Sequence, residues 1–274
     1  MINFKIKYQL SKDVFILFCA LNVFGYDDEN NKKGIHPIRK KIRKILLNYD
    51  WHEKYPQLVR AIKIYHPWHL LKSILTKPKD IEKTPVLHDL ILDLKKFSNE
   101  PLIRKVWEVF KTHQIQEAKK LFPLFKKETV QLIAFINQPP KEFKTIVLIP
   151  NSLDAYWRGY GFKIGEVGYI IVGPGADKNH GELIRHELLH LFTPALRIPR
   201  RIATDRHHKR LVAIGYAGSN VINREYIIRS LNLLYESVVL KMNISKAIKR
   251  EQKNFPNIKE VLALVKEEKE KGRL

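Results

Sequence analysis

Two histidines and a glutamate stand in the run His186-Glu187-Leu188-Leu189-His190 at the spacing that metal-assisted hydrolysis requires. On a helix, residues four apart lie one turn apart on the same face, so both imidazoles can close on a single ion. Imidazole donors at that spacing suit zinc. Glu187 follows the first ligand on the flank of that face, where its carboxylate reaches a water without binding the metal, the position of a general base. Five residues with three fixed can also arise by accident in a chain with 11 His, so the surroundings carry much of the argument.

Those surroundings predict a helix. Gly173-Pro174-Gly175 breaks whatever precedes, Asp177 or Asn179 can cap the first amides, and Thr193-Pro194 stops the helix after the second histidine. Ile184, Leu188 and Leu191 are its expected core stripe. Upstream, the run 145–150 reads as a short buried strand, and two further runs join across Gly165-Glu166 as a hairpin. In the zincin arrangement an edge strand beside the active-site helix holds an extended peptide through main-chain hydrogen bonds. Tyr169, Ile170, Ile171 and Val172 are the candidates for that edge.

A catalytic zinc takes three protein ligands and leaves a position for water. The extended HExxHxxGxxH pattern fails, because Thr193 occupies the glycine position and Leu196 that of the third histidine. Asp205, His207, His208, Glu225 and Glu236 remain. Glu225 is preferred: it opens a helix well beyond His190, as a distal glutamate ligand does in gluzincins, and Arg229 one turn on can hold its carboxylate in place. It would serve equally to complement the helix dipole and pair with Arg229. Glu236, three turns later on nearly the same face, is the runner-up, while the basic residues around His207-His208 would repel a cation.

His186-Glu187-Leu188-Leu189-His190-Leu191-Phe192-Thr193-Pro194, followed by Glu225-Tyr226-Ile227-Ile228-Arg229-Ser230, resembles a family of bacterial gluzincin-type metallopeptidases, largely described as a domain of unknown function, with HExxHxF and then ExxxR. The resemblance extends weakly to the front half through Ala20-Leu21-Asn22, Gly25-Tyr26 and His36-Pro37. It implies zinc on His186, His190 and Glu225, with Glu187 as base.

Composition narrows the alternatives. The single cysteine, Cys19, excludes an internal disulfide and any cysteine-based zinc site, and suits a reducing compartment. Residues 14–26 form the longest apolar run, too short to span a bilayer. With Ser11 as a cap, residues 12–24 read as a buried helix of a cytoplasmic protein, ending at Gly25, the alternative being an export signal. The net charge of +22 permits nucleic-acid binding, but the lysines are scattered and no dense basic stretch is interleaved with regularly spaced aromatics. A solvated basic surface is the expectation, with no specific nucleic-acid partner.

The fold class expected is α+β, predominantly helical: residues 1–140 mainly helical, with a strand over 2–10 that joins the later sheet, and residues 141–274 a zincin-like catalytic half. Pro139-Pro140 marks the boundary inside what is read as one compact unit. Helices in the front half are expected to break at Pro56, Pro67, Pro78, Pro85, Pro101 and Pro123. The function expected is zinc-dependent peptide hydrolysis. The alternatives are a zinc hydrolase acting on another bond, and a basic nucleic-acid-binding protein with an accidental motif.

Overall fold

The computed structural model describes residues 4–26, 34–76, 85–136, 143–193, 211 and 219–273, and shows a predominantly helical α+β chain with one small mixed sheet. The chain forms two compact units: Asn3–Lys126 with Phe143–Ile184, and Lys127–Glu142 with Arg185–Leu274 and Met1–Ile2. Pro139-Pro140, the expected boundary, lies outside the described residues.

The first unit begins with β1 (Lys5–Tyr8) and α1 (Lys12–Val23). Ser11 caps α1 by accepting a hydrogen bond from the Val14 amide, and Gly25, at φ 104, lets the chain turn so that Tyr26 N–H reaches the Leu21 carbonyl. Residues Val14 through Val23 are all buried, so α1 is a core helix on every face. Each large apolar side chain removed from water this way contributes roughly 1.5–3 kcal/mol. Proline opens each of the next helices, α2 (Pro37–Leu46), α3 (Pro56–Ile64), α4 (Pro67–Leu75), α5 (Pro85–Ser98) and α6 (Pro101–Ile136). Its fixed φ suits the first turn, where its missing N–H is not needed.

Pro123 does not break α6, contrary to the sequence expectation. Its ring sits on the exposed face, where water can take up the carbonyl that loses its amide partner. Pro78 lies outside the described residues.

The sheet comprises β1, β2 (Thr145–Pro150), β3 (Gly159–Ile164) and β4 (Val167–Val172) in the order β1-β2-β4-β3. β1 and β4 run parallel to β2, and β3 pairs antiparallel with β4 across Gly165-Glu166, where Gly165 takes φ 55. The strand holding Tyr169, Ile170, Ile171 and Val172 is therefore interior. β2 flanks it on one side and β3 on the other, which engages its main-chain groups and corrects the edge-strand expectation.

The second unit contains the end of α6, most of α7 (Glu182–Phe192), α8 (Ser219–Val238), α9 (Ser245–Gln252) and α10 (Ile258–Glu270). α8 packs on α10, with Tyr226, Ile227, Ile258, Val261 and Val265 buried. No helix among the described residues is long and apolar enough to cross a membrane.

Candidate metal centre

A 3-10 turn over Asn179–Gly181 leads into α7, with Asn179, His180 and Gly181 all at positive φ. The helix ends at Phe192, where the Thr193 amide still reaches the Leu189 carbonyl. Its buried residues are Ile184, Arg185, Glu187, Leu188, Leu189 and Phe192, and Leu191, expected in the core, is only half-buried. The stripe is rotated because Arg185, a residue type that favours solvent, is fully buried with partners of its own.

Arg185 fixes α7 against two other helices. Its Nη1 donates to Glu128 Oε2 of α6 at 3.0 Å, its Nη2 to Glu236 Oε1 of α8 at 3.1 Å, and its Nε to Asn232 Oδ1 at 2.6 Å. Its guanidinium lies over the Tyr235 ring, 4.7 Å from the centroid. Glu236, the runner-up for third ligand, is thus committed to this network. At the far end of α7, Arg224 Nη2 donates to the His190 carbonyl at 2.6 Å, satisfying a group that a helix terminus leaves unpaired.

Between these clamps, His186 and His190 present their rings on one face, 4.9 Å apart between centroids, with the two Nε2 atoms 3.3 Å apart. Glu225 reaches across from α8, its Oε1 3.0 Å from His190 Nε2 and its Oε2 3.6 Å from His186 Nε2. The donor atoms of these three residues all lie within 4.8 Å of one another, the one such cluster among the described residues that could hold a metal ion. Arg229 Nε donates to Glu225 Oε2 at 3.2 Å.

Arg229 is itself held by Glu251 Oε2 at 2.8 Å and lies over the Phe255 ring at 4.6 Å. The sequence reading did not reach Glu251, Phe255, Arg185 or Arg224, whose partners follow no local periodicity. Of the other candidates, Asp205, His207 and His208 lie outside the described residues.

The electrostatics suit a cation. Burial pushes the Glu225 carboxyl up, but the two imidazoles overcome it and hold the carboxyl well below its usual range. Burial lowers the His186 imidazole, and Glu225 by charge and hydrogen bond, with Glu187 adding to it, brings it above its ordinary value. The cluster therefore favours positive charge between the rings and the carboxylate. Two neutral imidazoles and one carboxylate are a donor set that zinc accepts, and a divalent ion would replace the proton now stabilised there. Glu187 is buried beside His186 and does not belong to the three-donor cluster.

No family model, no curated protein and no solved structure matches this chain.

Proposed function

We propose that the chain is a zinc-dependent hydrolase of peptide bonds, a gluzincin-type peptidase. The observation that carries this reading is the convergence of His186, His190 and Glu225 within ligand distance on two helices that Arg185 and Arg224 lock together. His186, His190 and Glu225 would hold the zinc, and Arg229 would keep the Glu225 carboxylate aimed at it. Bound zinc supplies Lewis-acid polarisation of the scissile carbonyl and a lowered pKa for water. Glu187 takes the proton from the attacking water and delivers it to the leaving nitrogen.

The decisive experiment is metal analysis of purified protein with three variants. About one zinc per chain is expected, lost in His186→Ala and Glu225→Ala. Glu187→Gln should retain the zinc while turnover of a peptide library falls by roughly 10²–10⁴-fold. Zinc-free wild-type protein, or undiminished turnover in Glu187→Gln, would overturn the assignment.

A second reading, a zinc hydrolase acting on an ester or a non-peptide amide, draws on one observation: the strand expected to hold a peptide is interior to its sheet. Equal turnover of ester and peptide libraries would favour it. The same proposal sets the protein in the cytoplasm, since the apolar segment that resembles an export signal forms the buried α1 and the single cysteine is a buried thiol. Peptide or protein is the partner class, and no specific nucleic-acid partner is part of the reading.

A further inference from the structure

The loop that follows β2 in the first unit is gripped from several directions. The Asn22 side-chain amide donates to the Leu153 carbonyl at 3.0 Å, Tyr26 O–H to Asp154 Oδ1 at 3.0 Å, and the Gln114 side-chain amide to the Pro150 carbonyl at 2.7 Å. The Trp157 amide donates to the Pro174 carbonyl at 3.0 Å and holds that residue at φ 61. A loop so over-determined can keep one of its side chains in a fixed attitude for chemistry.

Ser152 is the side chain so held. Its Oγ lies 2.9 Å from His113 Nε2, and it is 5% exposed, whereas the His113 ring is half-buried. Glu117 follows His113 by one helical turn, and its charge acts on the ring. His36 packs against the same histidine, 5.5 Å between centroids, and against Tyr156 at 5.8 Å. Burial lowers the pKa of both imidazoles, His36 to about 4, so His113 is neutral and able to accept a proton at pH 7.

Three buried polar atoms of these residues and their chain neighbours have no hydrogen-bond partner among the described residues: Asn151 Nδ2, Gln114 Oε1 and His36 Nδ1. Buried polar atoms are rarely left so, and each of these three is open to a water or a polar ligand.

We propose that Ser152 and His113 form a second, metal-independent catalytic pair, which transfers small acyl groups from esters. Ser152 Oγ attacks the ester carbonyl carbon while its proton passes to His113 Nε2. The carbon–oxygen bond to the alcohol then breaks, and the alcohol leaves with the proton from His113. Water, deprotonated by His113 in turn, attacks the acyl-serine, and the proton returns to Ser152 Oγ as the carboxylic acid departs. Asn151 Nδ2 is the donor assigned to the carbonyl oxygen as it gains charge. The small exposure of Ser152 and the aromatic faces of His36 and Tyr156 select short, uncharged acyl groups.

A fluorophosphonate probe applied to the full chain, with and without a zinc chelator, tests this. Peptide mapping should place the adduct on Ser152 in both conditions, with none in Ser152→Ala, and labelling should slow at least about 10²-fold in His113→Gln. p-Nitrophenyl acetate should give a burst that disappears in Ser152→Ala. If either variant melts below the wild type, the adduct mapped in folded wild-type protein decides by itself. Absence of an adduct on Ser152, equal labelling of folded His113→Gln, or labelling that vanishes with the chelator would overturn the proposal.

Discussion

Among the described residues two arginines are fully buried, one in each unit, and the partners described for them differ in charge. Arg185 meets two carboxylates, Glu128 and Glu236, plus the Asn232 amide oxygen. Arg39 donates to the Asn22 side-chain oxygen at 2.6 Å and to the Tyr26 carbonyl at 3.4 Å, both neutral. The acid nearby, Asp154, feels Arg39 only weakly: burial dominates and pushes its carboxyl up to about 6, although Ala155 N–H and Tyr26 O–H both donate to it. A buried guanidinium tied to carboxylates acts as a rigid crosslink between helices, because removing it strands charge. Each bond that Arg39 gives to a carbonyl or amide oxygen contributes less than one to a carboxylate. The crosslink lies on the helix of the candidate metal centre, where an error of an ångström in ligand position would matter most.

The sharpest way to break the contrast is Arg185→Met, which strands Glu128 and Glu236 and should cost about 3–5 kcal/mol in chemical denaturation. Restoring neutrality with Glu128→Gln and Glu236→Gln should recover much of the loss. A single-variant loss below about 1 kcal/mol would remove the claim that the crosslink is rigid.

Asp154→Asn tests the region around Arg39 through pH. A carboxyl raised to about 6 gives stability that is complete below its unfolded value near 4 and is lost as pH rises through 6. The asparagine variant lacks that penalty. Its advantage over the wild type should grow from nothing at pH 4 to about 3 kcal/mol at pH 7.5, if the amide keeps the Tyr26 and Ala155 bonds. An advantage that shrank with rising pH would have the wrong sign.

Arg39→Met, leaving the Asn22 oxygen without its guanidinium donor, should cost about 1–3 kcal/mol, less than Arg185→Met. The smallest effect expected is from Tyr26→Phe, about 1 kcal/mol, together with an upward move of the Asp154 titration seen by carboxyl-labelled NMR. A downward move would contradict the hydrogen-bond account.

What the chain made legible in its own order were features set by neighbours in sequence. The Ser11 cap, the proline starts of α2 to α6 that lie among the described residues, the Gly165 hairpin and the i, i+4 histidines all rest on contacts a few residues apart. Glu225 was reachable because a helical period placed Arg229 behind it. Features decided by distant partners were not legible. Arg185 looks like a solvent-facing residue until Glu128, 57 positions away, is set against it, and Ser152 gains meaning only beside His113 on another element.

Position within a sheet is a property of the same kind. Tyr169 to Val172 reads as a strand, but its neighbours on both sides decide that it is interior. Its run of apolar residues without alternation was the available hint, since such runs accompany strands covered on both faces. Pro123 misled for the converse reason: the rule that proline breaks helices holds where the freed carbonyl cannot reach water, and here it can.

The parallel pairing of β1 with β2 has a temporal side. Lys5 sits opposite Thr145, so at a ribosome adding roughly 5–20 residues per second the first strand waits several seconds for its partner to be made. During that interval its unpaired amides and carbonyls are open to other chains. Slow, separation-dependent closure of this kind makes refolding from denaturant the stage at which the protein is most exposed to aggregation.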